Sequence, residues 1–198
     1  MSEAAPPRPR GRPRSAEAHG AILGATAALL AEGGFAQLTM EAVAVRAGVS
    51  KATVYRRWGS KEELVLELVS SMPYAGEPPD TGSVEGDLLE LTQIQIDRIA
   101  DTPLPRMMPR LMAETFEHPE LHAAIVEHGV DVLRGSLGTI LRRGIERGEL
   151  REDVDVELAV DALHGSIVYR ILLYGGDIRQ VVGYGPRMYR LLLQGLRP

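Results

Sequence analysis

AGVSKATVYRRWGSKEELV, residues 47–65, gathers two lysines, two adjacent arginines, a tyrosine and the only tryptophan of the chain into one short segment. The chain as a whole carries a net charge of −5. From Arg8 to Lys61, however, nine Lys/Arg residues stand against three acids, a local +6 that leaves −11 for the rest. Charge segregated in this way predicts an anionic partner at the N-terminal end.

Just upstream, LTMEAVAVRAG (residues 38–48) predicts a short helix capped by Thr39 and stopped at Gly48, and Ser50 caps the next. Two short helices joined by AGVS over residues 39–58 have the layout of a helix-turn-helix. Gly48 suits a turn position that requires positive φ, and Val49 packs into the junction. A rotation of 100° per residue sends Val54 and Trp58 inward together. The opposite face then carries Ala52, Thr53 and Arg56, flanked by Lys51, Tyr55 and Arg57. That set suits DNA: Lys and Arg neutralise phosphates or hold guanine edges, hydroxyls donate to phosphate, and Ala52 leaves room for close approach. Ser60 and Glu63 form a capping box for a further helix, whose N-terminus places Lys61 where a phosphate is favoured. The competing explanation is a solvated basic face.

Further out, Ile22, Ala25, Leu29 and Leu30 repeat at helical spacing from Ser15 until Gly33-Gly34. On the other side, SMPYAGEPPDTGS (71–83) is rich in Pro and Gly and reads as a linker. Helical patterns follow over 84–100, around 105–116, over 119–147, over 154–174 and over 186–196, with no strand alternation and no internal repeat. The expected organisation is all-α: a disordered basic arm (1–14), a DNA-binding domain (15–70), the linker, and a C-terminal helical domain (84–198). Residues 154–174 carry two apolar stripes. One is Val156, Val160, Leu163, Ile167, Ile171 and Tyr174; the other is Leu158, Ala159, Ala162, Ser166, Tyr169 and Leu173. A helix apolar on two sides is buried on two sides, against a second subunit or, alternatively, as a fully internal core helix.

The chain has no cysteine, so neither disulfides nor thiolate chemistry are available. No apolar run approaches a membrane span, and the N-terminus lacks the apolar core of a secretory signal, so a cytoplasmic protein is expected. Glu114, His118, His122 and His128 are the one metal-like constellation. Its HPELH lacks the glutamate directly after the first histidine, and Pro119 breaks the helix, so no metal and no cofactor are expected. G-x-S-x-G, G-x-x-x-x-G-K-[ST] and G-x-G-x-x-G are all missing, so no enzyme is expected.

LTMEAVAVRAGVSKATVYRRWGSKEEL (38–64), preceded by LLAEGGFAQLT (29–39), resembles the DNA-binding signature of the TetR family of bacterial transcriptional regulators over about residues 15–66. The resemblance implies a three-helix helix-turn-helix domain followed by a helical ligand-binding and dimerisation domain. It implies a nucleoid-associated dimer on a palindromic operator, with Lys51, Ala52 and Arg56 facing bases and Thr39, Thr53, Tyr55, Arg57 and Lys61 holding phosphates. Half-sites would lie about 34–36 Å apart. The homodimer would form through the last two helices (154–174 and 186–196), and the protein would act as a repressor released by a small-molecule effector, although a minority of such proteins activate. For the effector pocket the candidates are Met107, Met108, Leu111, Met112, Phe116, Ile125, His164 and Tyr169, a set that reads more often as ordinary core. The arm sequence PRPRGRPR (7–14) resembles an AT-hook, so Arg8, Arg10, Arg12 and Arg14 are expected in a narrow A·T minor groove, unless the arm is only a solubilising tail. The alternative to a site-specific regulator is a non-specific architectural DNA-binding protein.

Overall fold

A computed structural model describes residues 13–72, 76–174 and 180–198, with helices and turns as the secondary structure of those residues. The expected minor-groove residues Arg8, Arg10 and Arg12 lie outside the described residues, and so does the side chain of Arg14.

The N-terminal part comprises α1 (Pro13–Gln37), α2 (Met40–Arg46), α3 (Lys51–Tyr55) and α4 (Lys61–Ser70). Gly34, with φ of 72°, breaks α1 near its end. Each of the next three helices opens on a hydroxyl that accepts an N–H three residues on. Thr39 takes Ala42 at 3.1 Å, and Ser50 takes Thr53 at 3.2 Å. Ser60 takes Glu63 at 3.2 Å. The last of these is not the full reciprocal box that the sequence suggests. The Glu63 carboxylate reaches one residue further back and accepts the N–H of Gly59 at 2.7 Å. Gly48 has the positive φ that its turn requires, 66°.

The C-terminal part comprises α5 (Val84–Ile99), α6 (Leu104–Glu114), α7 (Pro119–Ile125), α8 (Asp131–Glu146), α9 (Val156–Tyr174) and α10 (Gln180–Leu196). The stretch 119–147 is thus not one helix: a π-helical turn at Val126–Val130 separates α7 from α8. The last helix begins at Gln180, six residues earlier than the sequence suggests, and carries Pro186 inside it. Pro186 forfeits one backbone bond, but the burial of Met188, Tyr189 and Leu193 on the same helix outweighs that loss.

Two cores result. The first joins Ile22, Leu30, Val43, Val54, Trp58 and Leu64 of the N-terminal helices to Met107 and Leu111 of α6 and to Leu121 and Ile125 of α7. The second unites α5, α8, α9 and α10 through Leu88, Ile140, Leu141, Leu163 and Leu193. On α9, Val160 and Leu163 are buried, whereas Leu158, Tyr169 and Leu173 are 66%, 52% and 70% exposed. Ala159, grouped by sequence with the second stripe, faces inward and is buried. On α10, Leu191 is 69% exposed.

The end of the linker is pinned by charge. Buried Asp87 accepts the Thr81 N–H at 2.6 Å and the Thr81 hydroxyl at 2.7 Å, and pairs with Arg147 at 3.3 Å. Arg143 donates to the carbonyl of Pro79 at 3.0 Å, and Glu149 accepts the Val84 N–H at 2.9 Å.

Candidate nucleic-acid interface and apolar cavity

The geometry of the basic helix starts with its anchor. Val54 and Trp58 are buried. The Trp58 indole stacks on His19 with centroids 5.6 Å apart and donates its N–H to Glu67. His19 in turn lies 3.4 Å from Glu67, so one cluster ties α1, the end of the α3 segment and α4 together. Arg46 of α2 grips Glu32 of α1 with two bonds of 2.6 and 2.7 Å. With its inner face so held, α3 presents Lys51, Ala52, Tyr55 and Arg56 to solvent, and Thr53 and Arg57 half-buried beside them. Arg56 is the C-cap of α3, and Arg57 lies in the turn that follows. Thr39, Lys51, Ala52, Thr53, Tyr55, Arg56 and Arg57 thus lie, exposed or half-buried, on the adjoining α2 and α3 segments.

Lys61 stands apart. Its ammonium donates to the carbonyl of Phe35 at 3.0 Å and sits 4.3 Å from the centroid of the Phe35 ring. In this structure it closes α4 onto α1, and a phosphate would have to share it.

Sequence reasoning missed Glu41. This residue, in the first turn of α2, pairs with Lys51 across the turn, and its carboxylate takes the Tyr55 hydroxyl at 3.5 Å. The Lys51 bond holds the Glu41 carboxyl below its ordinary pKa and raises that of Lys51 in return. Lys51 also lies 5.4 Å from the Tyr55 ring centroid. An acid beside the basic face thus engages one of its cations.

The second feature is a cavity of about 240 Å³ between α5, α6, α8, α9 and α10, bordered also by Ile125 of α7 and by Gly129 and Val130 of the π-helical turn. Met108, Met112, Ile125 and His164 line it. Four other candidates do not. Met107 and Leu111 turn the other way and are fully buried in the first core. Phe116 lies beyond the end of α6 and is 91% exposed, and Tyr169 lies on the outer stripe of α9, 52% exposed. The lining includes three polar residues absent from the sequence-based set: Thr92, Gln95 and Tyr189. Thr92 and Tyr189 share a hydrogen bond of 2.5 Å. Burial pushes the Tyr189 phenol up. Burial pushes the His164 imidazole down, and the nearby Arg134 charge adds to this while Asp161 opposes it.

Among the described residues no three of His, Asp and Glu converge as a metal site. His118 is the N-cap of α7 with Pro119 in the first turn. It lies 3.5 Å from Glu120 and packs edge-on against Phe35. No described helix is long and apolar enough to cross a membrane.

Two family profiles match the chain: "Bacterial regulatory proteins, tetR family" over residues 22–68, and "Tetracyclin repressor-like, C-terminal domain" over residues 78–183. The chain belongs to the TetR family. It is 33% identical over 170 residues to the HTH-type transcriptional regulator YdeS of Bacillus subtilis, covering 85% of each chain. It is also 33% identical over 169 residues to the DNA-binding transcriptional repressor TetR of Mycobacteroides abscessus, covering 84% of this chain and 86% of that one. The crystal structure of FadR from Bacillus subtilis in complex with stearoyl-CoA superposes with a TM-score of 0.74 at 22% identity, covering 90% of this chain and all of the other, and shares the fold. As a TetR-family member the protein is a sequence-specific, DNA-binding transcriptional regulator, with an N-terminal helix-turn-helix domain and a C-terminal helical domain.

Proposed function

We propose that the protein is a homodimeric repressor that leaves a palindromic operator when a small molecule fills the cavity. The observation that carries this is the position of α6. One face of that helix, Met108 and Met112, lines the cavity. The other, Met107 and Leu111, is packed into the core that holds α1 and the helix-turn-helix. A ligand that displaces Met108 or Met112 moves a helix on which the DNA-binding domain is seated. If it binds better where the two recognition helices are misplaced, that differential affinity sets the loss of DNA binding. The FadR complex with stearoyl-CoA is a precedent for a ligand in this fold.

In this proposal Lys51, Ala52 and Arg56 meet base edges. Thr39, Thr53, Tyr55, Arg57 and, after exchanging Phe35, Lys61 meet phosphates. Thr39 accepts an N–H as a cap and so keeps its own hydroxyl proton to donate. Leu158, Tyr169 and Leu173 of α9 with Leu191 of α10 supply the apolar face for the second subunit. Arg8, Arg10, Arg12 and Arg14 follow the minor groove beside each half-site. The protein works at the nucleoid by binding alone, with no catalytic step.

Selection of duplexes from a random pool at about 0.15 M salt tests this, because non-specific binding is suppressed there. An enriched palindrome is the expected result, with A·T flanks if the arm contributes. Binding without enrichment would replace the repressor with an architectural protein, and no binding at all would leave α3 as a solvated basic face.

A further inference from the structure

The lining of the cavity restricts what can occupy it. None of its residues is Lys, Arg, Asp or Glu. An ion carried into such a space loses its water and gains no counter-charge, which is strongly unfavourable. The two charges that act on His164, Arg134 and Asp161, are outside the lining and are paired with each other.

Thr92, Tyr189 and His164, three of the four polar side chains in the lining, can be resolved proton by proton. The Thr92 hydroxyl donates to the carbonyl of Leu88 at 2.8 Å. Its one proton is thereby used, so in the 2.5 Å contact with Tyr189 the phenol must donate and Thr92 accept. The Tyr189 oxygen is left with a lone pair and no proton. It therefore asks for a donor. His164 is different: among the described residues its ring nitrogens have no hydrogen-bond partner, and its neutral form offers one donor and one acceptor. Burial and Arg134 both favour that neutral form. The volume of about 240 Å³ lies below the usual range for drug-sized ligands, roughly 300–1,000 Å³.

We propose that the effector is a small, uncharged, mainly aliphatic or aromatic molecule bearing a hydroxyl or comparable donor–acceptor group, recognised by His164 and by the Tyr189 oxygen. As an effector assignment this rests on the repressor function proposed above; as a statement of what the cavity binds, it does not. Such a molecule leaves the apolar walls in contact with carbon and offers hydrogen-bond partners to the His164 ring and the Tyr189 oxygen in the lining.

The test uses three probes with one chain length: octan-1-ol, octanoate and octylammonium, titrated calorimetrically into the full-length protein at pH 8, where the acid and the amine are ionised. Octan-1-ol is expected to bind at least tenfold more tightly than either ion. His164→Leu should weaken octan-1-ol about tenfold, while His164→Gln, which keeps a donor and an acceptor, should retain most of the affinity. Should His164→Leu not fold, Tyr189→Phe removes the phenol oxygen alone and is expected to weaken octan-1-ol severalfold, narrowing its preference over octanoate without reversing it. An ion that binds as tightly as the alcohol overturns the proposal. So does the absence of alcohol binding, or full affinity in both His164→Leu and Tyr189→Phe. Operator release is measured separately. Alcohol binding that leaves operator affinity unchanged would remove the repressor mechanism and still support the neutral character of the cavity.

Discussion

Glu41→Gln is the perturbation that isolates the competition on the DNA-binding face. In the unbound protein the Glu41 carboxylate holds Lys51, ten residues on, and accepts from Tyr55, fourteen residues on, so two groups proposed to meet DNA are engaged with one acid. The amide is nearly the same size and retains a hydrogen-bonding oxygen for Tyr55, but its charge is gone. Each Lys51 then becomes free to neutralise a phosphate. Each phosphate neutralised steepens the slope of log K against log salt by about 0.9, so two subunits add up to about 1.8. Over the threefold range from about 0.05 to 0.15 M salt this amounts to a factor of about seven. The variant's gain over the parent on a random-sequence duplex should therefore be about seven times larger at the low salt than at the high. Fluorescence anisotropy of a labelled duplex, titrated at five salt concentrations, measures both slopes. The preference for the operator over random DNA should fall at the same time, because the added attraction does not depend on sequence. Equal slopes for parent and variant would refute the competition and reduce the Glu41–Lys51 contact to an incidental surface pair.

Three further outcomes follow from the same physics. Deleting residues 1–14 removes four arginines per subunit and should flatten the salt slope by up to about 3.6 per subunit; an unchanged slope would make the arm a passive tail. Asp87→Ala leaves Arg147 short of its buried partner and frees the Thr81 N–H, so a loss of about 3 kcal/mol in urea unfolding is expected, and less than about 1 would show that Asp80 and Glu149 replace it. The His164 pKa is depressed below its ordinary 6.5, so the unfolded chain takes up this proton first as pH falls. Stability should drop from about pH 6.5 down to the folded-state value, by no more than about 1.4 kcal/mol per pH unit. It should be flat on either side of that window, and His164→Gln should abolish this component of a pH series of melts.

The parts of this fold legible in the sequence are those decided within a few residues. Thr39, Ser50 and Ser60 each bond an N–H three positions on, and Gly48 supplies its own turn. Nothing outside the segment is needed to recognise them. Val54 faces inward because only one face of the five-residue α3 can meet its neighbours, and Trp58, three residues past the end of α3, stays beside it through its N–H bond to the Val54 carbonyl at 3.1 Å. Glu41 was hidden because its distance from Lys51 depends on the angle between α2 and α3, which neither helix encodes alone. The same holds for Thr92 and Tyr189, 97 residues apart and 2.5 Å from each other.

The methionine stretch shows where periodicity stops being informative. Met107, Met108, Leu111 and Met112 read as one apolar patch, but they form two i, i+4 pairs separated by a rotation of 100°. Sequence determines that Met107 travels with Leu111 and Met108 with Met112. It does not determine that Met107 and Leu111 are enclosed in the N-terminal core while Met108 and Met112, at the edge of that core, also line the cavity, because both surroundings are apolar. Phe116 escaped even this logic, since it follows the end of α6 at Glu114 and the helical register no longer applies to it. What the structure adds is the assignment of faces, and for α6 that assignment bears directly on function. A guest that outgrows the space already present beside Met108 and Met112 must push on that face of α6 and so strain or shift the face packed on α1, because close-packed interiors give way by only fractions of an ångström. A substitution that fills the cavity from the Met112 side should therefore loosen operator binding even with no ligand present, whereas one of equal size at exposed Phe116 should not.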